Sequence, residues 1–128
     1  MEFQRVYSGA PWEQKVGYCR ALRAGNIITV TGTAPVADDG TTHAPGDAAA
    51  QTARCFELID RALNALGVDK TCITRTCMFV TDVSRWQEYG AAHAAYFDGH
   101  HPATSMVEVK GLIAPDMLIE IEADGVVL

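Results

Sequence analysis

Histidines, cysteines, hydroxyls and a row of carboxylates are the side chains here with the means to do chemistry. His100 and His101 are adjacent, so their rings diverge in extended chain, and His43 lies in a glycine-rich loop without a partner at ligand-like spacing. No metal site is expected. His93 differs, because it falls on the inner side of an aromatic helix, where it is either a buried, satisfied histidine or a donor or base facing a pocket. Cys19, Cys55, Cys72 and Cys77 lack CxxC spacing and read as free, structural thiols. No GxSxG, Walker loop or GxGxxG occurs, and the serines have no evident His and Asp partners, so nucleophilic catalysis is unsupported. Acid–base or binding chemistry remains, with Glu120, Glu122, Tyr18 and Thr104 as its carriers.

The carboxylates sit in residues 102–124, which read as two strands joined by a short connection. Alternation puts Thr104, Met106 and Glu108 on one side of the first strand. In the second, Leu118, Glu120, Glu122 and Asp124 share a face opposite Met117, Ile119, Ile121 and Ala123, the pattern of a half-buried strand. The acidic row is either a solvated face or the border of a cleft or subunit contact. Repulsion between neighbouring carboxylates favours the second reading.

The elements that must position these groups follow in order. Phe3 to Tyr7 forms a short strand and Ser8 to Glu13 a turn-rich loop. Tyr18 to Arg23 and Ile27 to Thr31 read as a hairpin about Gly25-Asn26, ending in Gly32-Thr33-Ala34-Pro35, where the glycine is either a turn residue or a point of close approach. Asp47 caps a helix whose Ala50, Ala53, Cys55, Phe56, Ile59, Leu63 and Leu66 make one apolar stripe, stopped by Gly67. Ile73 to Thr81 is a strand rich in β-branched residues. Ser84 caps a second helix running to Phe97 or Asp98, with Trp86, Tyr89, Ala92, His93, Tyr96 and Phe97 on or beside its inner side. This order predicts an α+β sandwich with both helices on one face of a mixed sheet. The other face is expected to carry Thr104, Met106, Leu118 and Leu22 beside several charges, as a subunit interface lining a small cleft.

At 128 residues the chain matches one domain, 1–128, with one core. A net charge of −6 argues against binding a phosphate backbone, so no nucleic acid is expected. No apolar run approaches the roughly 20 residues of a membrane span, and the first residues lack a signal peptide's basic and apolar regions. The expectation is a cytoplasmic protein without a membrane partner.

Gly17-Tyr18, Thr31-Gly32-Thr33-Ala34-Pro35, Gln51-Thr52, Phe79-Val80-Thr81-Asp82, the run from Pro102 to Val109 and Ile119-Glu120-Ile121-Glu122-Ala123 together resemble the Rid superfamily. These are the reactive intermediate deaminases, also labelled YjgF or L-PSP endoribonuclease. The resemblance spans nearly the whole chain and implies a chorismate-mutase-like α+β fold, a homotrimer and ligand clefts between subunits. It further implies that Glu120 positions or activates water for attack on an imine carbon, while Tyr18 lines the cleft. Where the deaminase branch has Pro-Ala-Arg-Ser, whose Arg holds a substrate carboxylate, this chain has Thr104. Thr33 stands where the family commonly has Gln, and Gly90 where it often has Asn.

Either Arg20, expected on the same strand face as Tyr18, supplies a relocated cation, or the cleft prefers neutral or cationic ligands. The resulting expectation is a small-molecule enzyme hydrolysing an enamine or imine to a carbonyl compound and ammonia. Glu120 would be its catalytic group, with Tyr18, Arg20, Gly32, Thr33, His93, Thr104 and Met106 lining the ligand, and with no metal or organic cofactor. The competing expectation is a non-catalytic ligand-binding or chaperone-like trimer. Endoribonuclease activity ranks below both because of the acidic charge.

Overall fold

The structure, a computed structural model, describes residues 2–128. Six strands form one sheet in the order β1-β2-β3-β6-β4-β5, from β1 (Phe3–Val6), β2 (Ala21–Ala24), β3 (Ile27–Thr33), β4 (Ile73–Val80), β5 (Ala103–Glu108) and β6 (Ile119–Val126). Only β4 and β5 run parallel; every other neighbouring pair is antiparallel. The sheet is therefore mixed, as expected. β5 and β6 are not partners of each other, because β4 lies between them.

The sheet carries two long helices on one face. In β6 the alternation resolves as anticipated: Ile119, Ile121 and Ala123 are buried, while Glu120 is half-buried and Glu122 and Asp124 are exposed. Helix α2 (Ala48–Ala65) starts where the Asp47 side chain accepts the Ala50 amide at 3.0 Å, using one of the four amides that a helix start leaves free. Its Cys55, Phe56, Ile59, Ala62 and Leu63 are buried, and each large one contributes about 1.5–3 kcal/mol of transfer free energy. Ala53 is exposed, so the stripe is narrower than expected. Helix α3 (Trp86–Phe97) stacks on α2 through Phe56, Tyr96 and Phe97. These rings and the inward residues of β3, β4 and β6 form one core.

Three local expectations need correction. Ser8 to Glu13 is not all loop, since Pro11–Val16 forms helix α1 with proline at its start, where its missing amide costs nothing. Strand β2 begins at Ala21, leaving Tyr18 and Arg20 in irregular chain before it. Asp82, rather than Ser84, is the capping residue before α3: it accepts the Ser84 amide at 3.1 Å ahead of a 3-10 turn over Val83–Arg85. Trp86 accordingly starts α3 and is 56% exposed, not inward.

A larger correction concerns the faces of the sheet. Cross-strand partners share a face. Thr104 pairs with Thr76 and Met106 with Met78, while Thr76 and Met78 pair with the buried Ala123 and Ile121. Thr104 and Met106 thus lie on the helix side. Glu120 pairs with Phe79, whose other partner is Val107, so Glu120 lies on the opposite side with Leu22, Cys77 and Ser105. One face does not carry both Thr104 and Glu120.

Candidate functional site

Glu120 sits over a break in the sheet. The pairing of β3 with β6 slips between Val30, opposite Ala123, and Thr33, opposite Ile121, which leaves an extra residue in β3. Gly32 occupies that bulge, and a Cβ built on it would lie 2.6 Å from Glu120 Oε2. The glycine is there because the carboxylate needs the space. Burial raises the Glu120 pKa; the Arg20 charge opposes the rise and Glu122 adds to it. A carboxylate that keeps its proton to higher pH than usual is suited to both accepting and returning one.

Arg20 borders this group. Its guanidinium donates to the Gly32 carbonyl at 3.1 Å, to Thr33 Oγ1 at 3.4 Å and to Tyr18 Oη at 3.5 Å, with its central carbon 5.6 Å from the Tyr18 ring centre. Thr33 is itself buried and donates to the Thr31 carbonyl at 2.8 Å. Behind Arg20 lies Glu13, only 3% exposed, which accepts from the Ser8 amide at 2.9 Å and from the Ser8 hydroxyl, and whose Oε2 is 3.5 Å from Arg20 Nε. Arg20 is thus held as an internal ion pair. Of the expected residues, Arg20 contacts Tyr18, Gly32 and Thr33, and Gly32 in turn lies against Glu120; Tyr18 and Arg20 meet across irregular chain rather than along a strand.

Glu13 was not among the expected residues. The signal available was a lone acid seven positions before an arginine beside a tyrosine, which does not by itself reveal burial. Tyr18 and Glu13 also border a cavity of about 480 Å³ on the sheet face away from α2 and α3, floored by Leu22, Thr29 and Thr31. Gly32 and Glu120 do not line it, so the cavity adjoins the carboxylate rather than containing it.

A second cluster joins α3, β4 and β5. Thr76, fully buried, shares hydrogen bonds with Thr104 Oγ1 at 2.7 Å and with His93 Nε2 at 2.8 Å. The His93 ring packs on Phe56 at 5.4 Å and Phe97 at 4.6 Å between centres, and burial lowers its pKa, so it is neutral at pH 7. Met106 is half-buried beside this cluster, on Thr104's side of β5. His93, Thr104 and Met106 therefore stand apart from Glu120, across β4 and on the other side of the sheet. Thr76, the link, was missed because only its contacts distinguish it from any other strand threonine.

Among the described residues no cluster of three or more His, Cys, Asp or Glu side chains could hold a metal, and the four cysteines are free. Among them, too, no helix is long and apolar enough to cross a membrane.

The family model described as Endoribonuclease L-PSP matches residues 10–127. The 3-aminoacrylate deaminase RutC of Acinetobacter baylyi is 36% identical over 104 residues, covering 81% of this chain and 82% of that one. The 2-iminobutanoate/2-iminopropanoate deaminase of Escherichia coli is 34% identical over 112 residues, covering 85% and 86%. Among solved structures, Rv2704 of Mycobacterium tuberculosis, described as a member of the YjgF/YER057c/UK114 family, superposes with a TM-score of 0.89 at 44% identity, over 98% of this chain and all of that one. With its mixed sheet, two helices on one face and matched length, the chain belongs to the endoribonuclease L-PSP family, the YjgF or Rid proteins.

Proposed function

We propose that this protein is a cytoplasmic homotrimer that hydrolyses a small enamine or imine to a carbonyl compound and ammonia. The observation that carries the proposal is the half-buried Glu120 carboxylate, poised over Gly32 beside Arg20 and Tyr18 with a raised pKa. The deaminases among its relatives support the same reaction class. Water attacks the imine carbon while Glu120 takes one of its protons. The same carboxyl returns that proton to the nitrogen, giving a carbinolamine; it then takes the proton of the new hydroxyl and passes it to the amine, so that the carbon–nitrogen bond breaks and ammonia leaves as the carbonyl forms. The imine carbon is already electrophilic, so a placed water and a proton carrier suffice without a metal or organic cofactor.

The trimer has a structural rationale. Thr104 and Glu120 point away from each other within one chain, so a cleft bordered by both uses Glu120 of one protomer and the outer strand β5 of another. The sheet face away from the helices carries Phe3, 58% exposed, and Val107, 41% exposed, apolar surface that a neighbouring copy would cover. A net charge of −6 weighs against the RNA cleavage in the family's description.

The test is ammonia release from 3-aminoacrylate, from 2-iminopropanoate generated in situ, and from their carboxamide counterparts. The wild type is expected to accelerate at least one, and Glu120→Gln to slow it about a hundredfold or more. No acceleration of any of them by the wild type would leave a non-catalytic ligand-binding trimer as the better reading.

A further inference from the structure

His93, Thr76 and Thr104 form one hydrogen-bonded series, with 2.8 Å from His93 Nε2 to Thr76 and 2.7 Å from Thr76 to Thr104. A threonine hydroxyl has one proton to give, so the series runs either outward, from a hydrogen on His93 Nε2 through Thr76 to Thr104, or inward, from Thr104 through Thr76 to an unprotonated Nε2. Run outward, it leaves the proton of Thr104 free of both partners, and Thr104 is exposed on β5, the outer strand of the sheet. Each donor in such a series polarises the next, which makes the last hydroxyl a better donor than an isolated threonine.

Gly90 is one helical turn before His93 on the same stripe of α3, and a Cβ added there would meet nothing within 4 Å. The side chain of Met106, two residues beyond Thr104, offers an apolar wall. Among the described residues no Lys or Arg hydrogen-bonds to the side chains of His93, Thr76 or Thr104. Arg20, the only cation in the Glu120 cluster, is engaged by Glu13, Gly32, Thr33 and Tyr18.

From these observations we infer that the series runs outward and that Thr104 is a specificity residue that donates to a neutral acceptor, so that the ligand carries an amide or ester carbonyl where a carboxylate would otherwise sit. Thr76 and His93 are positioning residues that orient this donor. The inference rests on the deaminase reading, in which the Thr104 side of one protomer borders the Glu120 cleft of another. The substrate class is then a small enamine or imine with its acid group masked.

Two measurements test it. Long-range proton–nitrogen NMR of the imidazoles is expected to show neutral His93 with its hydrogen on Nε2 at pH 7. A hydrogen on Nδ1 would mean that the series runs inward and Thr104 donates to the protein, which overturns the assignment. The second is amide-shift titration of the full-length protein with pyruvate and with its neutral counterpart pyruvamide, using wild type, Thr104→Val and Thr104→Ser. Pyruvamide is expected to bind more tightly than pyruvate, Thr104→Val to weaken it about fivefold, and Thr104→Ser to restore it. Tighter binding of pyruvate, or shifts near Gly32 and Glu120 that are indifferent to Thr104→Val, would overturn this inference and leave the deaminase reading standing. No shift at either place with either probe would overturn both.

Discussion

Replacing Gly32 with alanine isolates the placement of Glu120 from its chemistry. The new Cβ would start 2.6 Å from Oε2 and 3.2 Å from Cδ of Glu120, whereas ordinary contact begins at 3.4 Å, so the carboxylate must retreat by about 0.8 Å. The obstacle is the far end of a flexible side chain, and the backbone at Gly32 is not left-handed. The fold therefore tolerates the change, with a stability effect of about 1 kcal/mol or less. The proposed deamination should not, because an error near 1 Å in a reacting group costs about a hundredfold in rate. Ammonia release and thermal unfolding measured on the same preparation separate the two effects, with the loss expected in kcat. A variant within about threefold of wild-type kcat and of equal stability would refute the idea that Gly32 exists to seat this carboxylate.

Other perturbations bear on the same scaffold. A carboxyl with a raised folded pKa makes the native state bind more protons than the unfolded chain does. Glu120 therefore lowers stability as pH rises above its unfolded pKa, with the full loss present above its folded pKa. Glu120→Gln should accordingly gain stability relative to wild type between pH 4 and pH 8 in urea unfolding, and a constant difference would contradict the raised pKa. If Glu120 accepts the proton from water, the acid limb of the wild-type rate profile should lie above the ordinary carboxylate range. Glu13→Gln leaves the Arg20 guanidinium without its buried counter-charge and should cost about 2–3 kcal/mol in denaturant unfolding, while a loss under about 0.5 kcal/mol would show the pair to be dispensable. Gly125→Ala would drive a Cβ to 2.6 Å from the Cys72 carbonyl oxygen, a backbone atom with little room to yield. It should destabilise by about 2 kcal/mol or more without a specific effect on kcat.

The periodic parts of the fold were readable from the chain alone. The strict alternation from Ile119 to Asp124 and the apolar stripe from Cys55 to Leu63 each carry a contrast between buried and exposed positions, and the structure follows both. β5 has no such contrast, since Thr104, Met106 and Glu108 are no more apolar than Ser105 and Val107. Alternation there shows which residues share a side, but only pairing with β4 decides which side that is. Helix α1 is six residues long, too short for a periodic signal, although Pro11 marked its start. Glu13 and Thr76 escaped notice because their importance lies in burial and partners brought in from distant parts of the chain. Gly32 could be read as a point of close approach, but its visitor, Glu120, lies 88 positions later and required the β3–β6 pairing to be known.

The claim on which the account depends is that a complete site takes Glu120 from one chain and the Thr104 edge from another. Subunit mixing tests it directly, using Glu120→Gln and a Thr104→Trp variant that fills the space beside α3, each expected to be inactive alone. After dissociation and reassembly of an equimolar mixture, random pairing leaves both halves intact in about one site in four, so about a quarter of the wild-type rate should return. Failure of the reassembled mixture to regain any activity, with assembly verified by light scattering, would contradict the account.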